Sequence, residues 1–96
     1  MKFRKKPVVI EAIQWDGQIK TFETLLNFGA PVELNLDILP ATLYVGTLED
    51  GQTKNGQPQV RHVATVDDWI IKGVSNEYYP CKPDIFEQTY ELVNET

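Results

Sequence analysis

Apolar residues fall into short runs separated by polar punctuation, and the period within each run predicts an element. Pro7-Val8-Val9-Ile10-Glu11-Ala12-Ile13-Gln14-Trp15 is rich in β-branched residues and predicts a first strand. Val8, Ile10 and Ala12 would face one side and Val9, Ile13 and Trp15 the other, which is the pattern of a central or well-covered strand. Pro7 suits the first strand residue, where no ladder donor is lost. Ile19, Phe22, Leu25 and Leu26 then recur at helical spacing and predict a helix over about residues 18–28 whose apolar stripe lies against a sheet. Asp16 is placed to cap its start, and Gly29 to supply the left-handed stop residue.

Val32, Leu34 and Leu36 alternate with Glu33, Asn35 and Asp37, predicting a short half-exposed strand that ends by Pro40. Thr42-Leu43-Tyr44-Val45-Gly46-Thr47-Leu48 is a stronger strand pattern, with Gly46 as a bulge or close-approach point. The run Asp50-Gly51-Gln52-Thr53-Lys54-Asn55-Gly56-Gln57 has no apolar side chain and carries two hairpin-turn dipeptides. It predicts a long solvated hairpin loop leading into a strand at 59–64. Trp69-Ile70-Ile71-Lys72 and Glu77-Tyr78-Tyr79-Pro80-Cys81 predict a second hairpin that turns through Gly73-Val74-Ser75-Asn76. Pro80 places this last strand at a sheet edge or ends it. Pro83 and Asp84 open a two-turn helix through Ile85, Phe86, Thr89 and Tyr90, since proline fits the first helical position and a carboxylate meets the positive end of the helix dipole. Glu91-Leu92-Val93 is expected to return as a closing strand, and residues 94–96 to fray. The fold class is therefore α+β: a single small domain over 1–96, an antiparallel β-meander or partly open barrel packed on one main helix, with a short C-terminal helix.

Composition narrows the function classes. The 96 residues carry a formal net charge of −5, which disfavours nucleic acid, because a phosphate backbone demands local positive charge. Four basic residues, Lys2, Arg4, Lys5 and Lys6, cluster at the start; such an arm can bind nucleic acid, but no base-stacking motif accompanies it, and the alternative is docking on the acidic residues Asp84, Glu87, Glu91 and Glu95. No apolar run reaches the ~20 residues that a membrane-spanning helix needs, and no secretory h-region follows the basic cluster. With one cysteine, Cys81, no intrachain disulfide can form, and the expected setting is the cytoplasm.

Two blocks carry a resemblance. The opening Arg4-Lys5-Lys6-Pro7-Val8-Val9-Ile10-Glu11-Ala12-Ile13-Gln14-Trp15 resembles the start of a widespread set of small, uncharacterised phage and prophage proteins. The closing Asp68-Trp69-Ile70-Ile71-Lys72-Gly73-Val74, Glu77-Tyr78-Tyr79-Pro80-Cys81-Lys82-Pro83-Asp84-Ile85-Phe86 and Thr89-Tyr90-Glu91 resemble their end, and the Trp69 segment is similar to the Pro-Gly-Asp-Tyr-Gly motif class of small phage domains. The blocks cover under half the chain. The resemblance implies a phage or prophage origin and a place in the bacterial cytoplasm; it implies no catalytic residues. Where that family has glycine before the Asp-Trp pair and before the Glu-aromatic pair, this chain has Asp67 and Asn76. Asn tolerates a positive φ, whereas Asp67 is the harder fit if its position requires one.

The chemistry-bearing residues are few. One histidine, His62, and one cysteine, Cys81, cannot fill a zinc site between them, so no metal and no cofactor is expected. A nucleophilic reading would pair Cys81 with His62 and orient them with Asp68, the thiol being activated by Lys82 and the helix start. A small buried residue packing a strand-to-helix junction is the simpler account of Cys81. Asp67, Asp68 and Glu77 could cluster across a hairpin, but turn formation explains them at least as well. The aromatics Trp15, Tyr44, Trp69, Tyr78, Tyr79 and Phe86 are many for so small a domain, and on alternating strands half of them must face away from the core. Of Tyr78 and Tyr79, one faces in and one out.

These features predict a non-enzymatic accessory protein that binds an unknown host or phage protein through an exposed aromatic sheet face or edge, with Trp69, Tyr78, Tyr79, Lys72 and Tyr44 as the binding residues and a homodimer as one mode of assembly. The alternative is a binder of a small nucleotide-like ligand held between Tyr and Lys or Arg side chains; an enzyme using Cys81 comes third. A protein-binding surface predicts a flat apolar patch. A ligand binder predicts a pocket with stacked aromatics and converging basic groups.

Overall fold

The β-branched opening run forms paired strand only over Glu11–Gln14 (β1), because its partner strand is four residues long. The computed structural model describes residues 1–4, 6–46 and 61–93, without the side chain of Arg61. After β1 come α1 (Ile19–Asn27), β2 (Val32–Asn35), β3 (Thr42–Gly46), β4 (Arg61–Ala64), β5 (Trp69–Lys72), β6 (Tyr78–Cys81) and α2 (Pro83–Thr89). Among the described residues the strands make two antiparallel three-stranded sheets, ordered β1-β5-β6 and β2-β3-β4, and no barrel closes. The polar loop predicted over 49–58 and the fraying end at 94–96 lie outside the described residues.

One core joins the sheets. Val32, Leu43, Val45 and Ala64 come from the second sheet and Ile70 and Tyr78 from the first. Leu25 and Phe22 close the core from α1, and Trp15 sits wholly buried at its centre. The Trp15 indole N–H donates to the Ala41 carbonyl at 2.8 Å, which satisfies its one polar atom inside the core. Trp15 is therefore a core residue and leaves the set of exposed aromatic anchors. The α1 stripe is narrower than the spacing suggests: Phe22 and Leu25 pack inward while Ile19 and Leu26 stay exposed, since nine residues lay only a short face on the sheet.

The ends of α1 follow its sequence signals with a shift of two residues at the start. Gln18 occupies the N-cap, and Asp16 supplies the acceptor, taking the Gln18 N–H at 3.0 Å. A hydrogen bond from the Thr21 side chain, and then the one from Gln18, hold the Asp16 carboxyl below its ordinary pKa. At the other end Gly29 adopts φ +94, with its N–H on the Leu26 carbonyl and the Ala30 N–H on the Leu25 carbonyl. That pair of bonds is the Schellman pattern, sealed by core contact between Ala30 and Leu25. At Gly46 a Cβ would find ordinary clearance to Pro31, whose carbonyl accepts the Gly46 N–H at 2.9 Å.

Two expectations need correction. β1 is an edge strand rather than a central one, and Val8 and Val9 ahead of it are exposed. Residues 91–93 form no strand and are exposed. The α+β class holds: the second sheet is a meander, and the first pairs β1 with β5 across the chain. Pro80 does fall on the edge strand β6, where its missing N–H costs no ladder bond.

Candidate functional site

Alternation sorts the first sheet into two faces. Ile13, Ile70 and Pro80 lie in one cross-strand row and Glu11, Lys72 and Tyr78 in the next on the same side, which faces the core. Ala12, Ile71 and Tyr79, then Gln14, Trp69 and Cys81, make the opposite side. Ile71 is as fully buried as Ile70 although it points the other way, so this outer face is covered as well. Helix α2 supplies the cover. Its Phe86 ring stacks on Trp69 with centroids 4.3 Å apart and planes 8° from parallel, and Tyr90, one turn on, leans against Phe86 at 5.1 Å. Tyr79 donates its hydroxyl to Tyr90; burial, then that bond, push the Tyr79 phenol up to about 12.

The cover is incomplete. Between the extended segment 6–10 and the α2 end with its following tail runs a groove of about 780 Å³. Trp69, Phe86 and Tyr90 form its aromatic shelf; Val8, Val9, Leu92 and Val93 form apolar walls. Val9 is 76 % exposed and Leu92 97 %, so these walls are open to water. Three charged residues join the lining, Lys6, Glu87 and Glu91.

The turns at the two ends of β5 each hold a non-glycine residue at positive φ, Asp67 before it and Asn76 after it. The Asp68 N–H closes on the Thr65 carbonyl at 3.0 Å, and Asp67, third in that turn, has φ +81. This is the geometry of a type II turn, which ordinarily takes glycine there. Asp67 is held in it from both sides: its N–H donates to the Trp15 carbonyl, and its carbonyl accepts from Gln14 Nε2 at 3.0 Å. Asp68 is 3 % exposed and accepts from the Thr65 N–H at 2.9 Å, the Thr65 hydroxyl and Lys82 Nζ at 3.1 Å. In the β5–β6 turn the Asn76 N–H reaches the Gly73 carbonyl, Gly73 pairs with Glu77, and Asn76 itself sits at φ +62, the three-residue hairpin with a left-handed closing residue. Glu77 folds back to accept the Ser75 N–H. Asp67, Asp68 and Glu77 are thus occupied in shaping turns.

The five residues predicted to bind do not share a surface. Trp69 and Tyr79 lie on the outer face, half-buried beneath Phe86 and Tyr90. Tyr78 is 5 % exposed in the core, its hydroxyl donating to the Phe28 carbonyl at 3.1 Å and its ring edge-on to Phe28. It has no surface to present, because strand parity turns it inward as it turns Tyr79 outward. Lys72 lies on the same side as Tyr78 and rests its ammonium 5.8 Å over the Phe28 ring. Tyr44 belongs to the other sheet, in a row with Glu33 and Val63, and its hydroxyl accepts from Asn35. The exposed aromatic face expected from these five is replaced by a groove centred on Trp69. Its other members were overlooked as a set, although Phe86 and Tyr90 at a spacing of four on a helix signal a shared face.

Cys81 lacks the activation that a nucleophile requires. Its thiol donates to the Lys82 carbonyl at 3.6 Å, and Lys82 Nζ turns away to Asp68 and Thr65. Burial, then the charges of Asp68 and Asp84, raise the Cys81 pKa above its ordinary value. His62 stands exposed on β4 of the second sheet. Among the described residues no three His, Cys, Asp or Glu side chains group to hold a metal ion, and no helix is long and apolar enough to cross a membrane. Compared with family models, curated proteins and solved structures, the chain finds no match in any of the three.

Proposed function

We propose that this chain is a non-enzymatic accessory protein of phage or prophage type, working in the bacterial cytoplasm as a protein-binding module, and that the groove over the outer face of the first sheet is its binding surface. One observation carries the reading: a stacked shelf of Trp69, Phe86 and Tyr90 lies open between walls of exposed Val8, Val9, Leu92 and Val93. Aromatic rings fixed by stacking lose little freedom when a partner lands on them, which is what makes such rings anchors. The lining charges set the partner's sign. Glu87 and Glu91 outnumber Lys6, so the lining favours a segment that carries Lys or Arg beside its apolar residues over the phosphates of a nucleotide-like ligand, and the stacked rings alone do not favour the small-ligand reading. The phage assignment rests on the likeness of the two end blocks.

A random peptide library selected against the purified full chain tests the proposal. The expected winners share an aromatic or large aliphatic residue flanked by Lys or Arg, and lose binding to a Phe86→Ala chain whose melting is otherwise cooperative. Winners rich in acidic residues, or equally retained by Phe86→Ala, would refute it.

A further inference from the structure

Resting on that reading of the groove, we infer that it receives the leading segment, residues 1–4, of a second copy of this chain, and that two copies exchange these segments about a two-fold axis. The leading segment has the chemistry that the groove asks for. Met1 and Phe3 alternate with Lys2 and Arg4, so an extended segment presents apolar groups on one side and cations on the other. Phe3 is 90 % exposed, and Met1 is fully so. The groove answers with a ring shelf for Phe3 and with Glu87 and Glu91 for the cations.

Connectivity makes the exchange short. Lys6 already lies in the groove lining, so each leading segment emerges beside its own groove. Four extended residues reach about 13 Å, the distance over which two copies set groove to groove exchange them. The interface is then isologous: each chain gives one segment and receives one. Val8 and Val9, exposed on the walls, lie where the two copies meet.

Charge reversal tests this with the full chain. Sedimentation equilibrium of the wild type up to about 1 mM is expected to show a dimer, weakened about tenfold or more by Phe3→Ala, as for an aromatic anchor. One variant, Lys2→Glu with Arg4→Glu, and a second, Glu87→Lys with Glu91→Lys, each place like charges together and are expected to be monomeric alone. Mixed, they are expected to pair, because each segment then meets a groove of opposite sign. All four positions are exposed, and unchanged far-UV dichroism confirms folding. In a mixed isotope-labelled sample the Phe3 ring should show contacts to Trp69 or Phe86 of the other chain. A monomer at every concentration, a dimer indifferent to these changes, or Phe3 contacts confined to one chain would each overturn the exchange. The groove reading stands separately if selected peptides still require Phe86.

Discussion

Replacing Gly29 by alanine tests how α1 is tied to the first sheet. Gly29 holds φ +94, where an alanine pays roughly 1–2 kcal/mol. Its new Cβ would stand 2.9 Å from the Tyr78 hydroxyl oxygen, closer than real Cβ contacts allow. Relief requires the hydroxyl to move from the Phe28 carbonyl, losing a bond worth about 1 kcal/mol. Gly29→Ala alone should therefore destabilise by about 2–3 kcal/mol. Tyr78→Phe alone loses the same hydrogen bond and should cost about 1 kcal/mol. In the double variant the clashing oxygen is gone, and only the backbone strain and one lost bond remain. The two changes should therefore fall short of additivity by about 1 kcal/mol. Urea unfolding followed by tryptophan fluorescence measures all four corners of the cycle. Additivity within about 0.3 kcal/mol would refute the contact between the helix stop and the tyrosine hydroxyl. A Gly29→Ala chain as stable as wild type would refute the left-handed stop itself.

Three further outcomes follow from the turns and the outer face. Asp67→Gly should leave stability unchanged or raise it by about 0.5 kcal/mol, since relief of the positive φ slightly outweighs glycine's greater chain entropy; Asp67→Val in the same urea assay should destabilise, and the reverse order would contradict a type II turn. Asp68→Ala should cost about 2–3 kcal/mol because the buried acceptor of three donors is lost, whereas Lys82→Ala, which removes one largely exposed partner, should cost under about 1 kcal/mol. The Tyr79 phenol, raised to about 12 in the fold against about 10 when unfolded, favours the folded chain fully below pH 10 and ceases to do so as pH climbs through 12. The loss of melting temperature across that window should shrink in Tyr79→Phe, and an identical loss would show that Tyr79 does not couple to folding.

The secondary structure was legible because its signals are local. Helical spacing and Gly29 located α1 and its stop, and the Pro83-Asp84 pair located the start of α2. The edge position of β6 followed from Pro80, whose missing donor leaves few other places for it. What stayed hidden depends on contacts between distant segments. The run from Pro7 to Trp15 reads as one strand, yet only Glu11–Gln14 find partners, since the reach of β5 and β6 is not written in that run. Apolar residues on both of its sides suggest two covered faces, yet Val8 and Val9 stay exposed, Ala12 and Ile13 are only half-buried, and β1 lies at the edge. Parity within Tyr78-Tyr79 told that one ring turns inward, and burial was needed to say which. The groove escaped for the same reason: its shelf joins a strand residue, Trp69, to Phe86 of a helix that begins fourteen positions later and to Tyr90 at that helix's C-cap.

The role of the groove is most directly tested by ¹H–¹⁵N and ¹H–¹³C correlation spectra of the full chain titrated with the tightest peptide from the library selection. The indole N–H of Trp69 and the rings of Phe86 and Tyr90 should move with the methyls of Val8 and Val9, while the indole N–H of Trp15, locked on Ala41, stays still. Shifts centred on Tyr44 and Val63 of the opposite sheet, with Trp69 unmoved, would contradict the account.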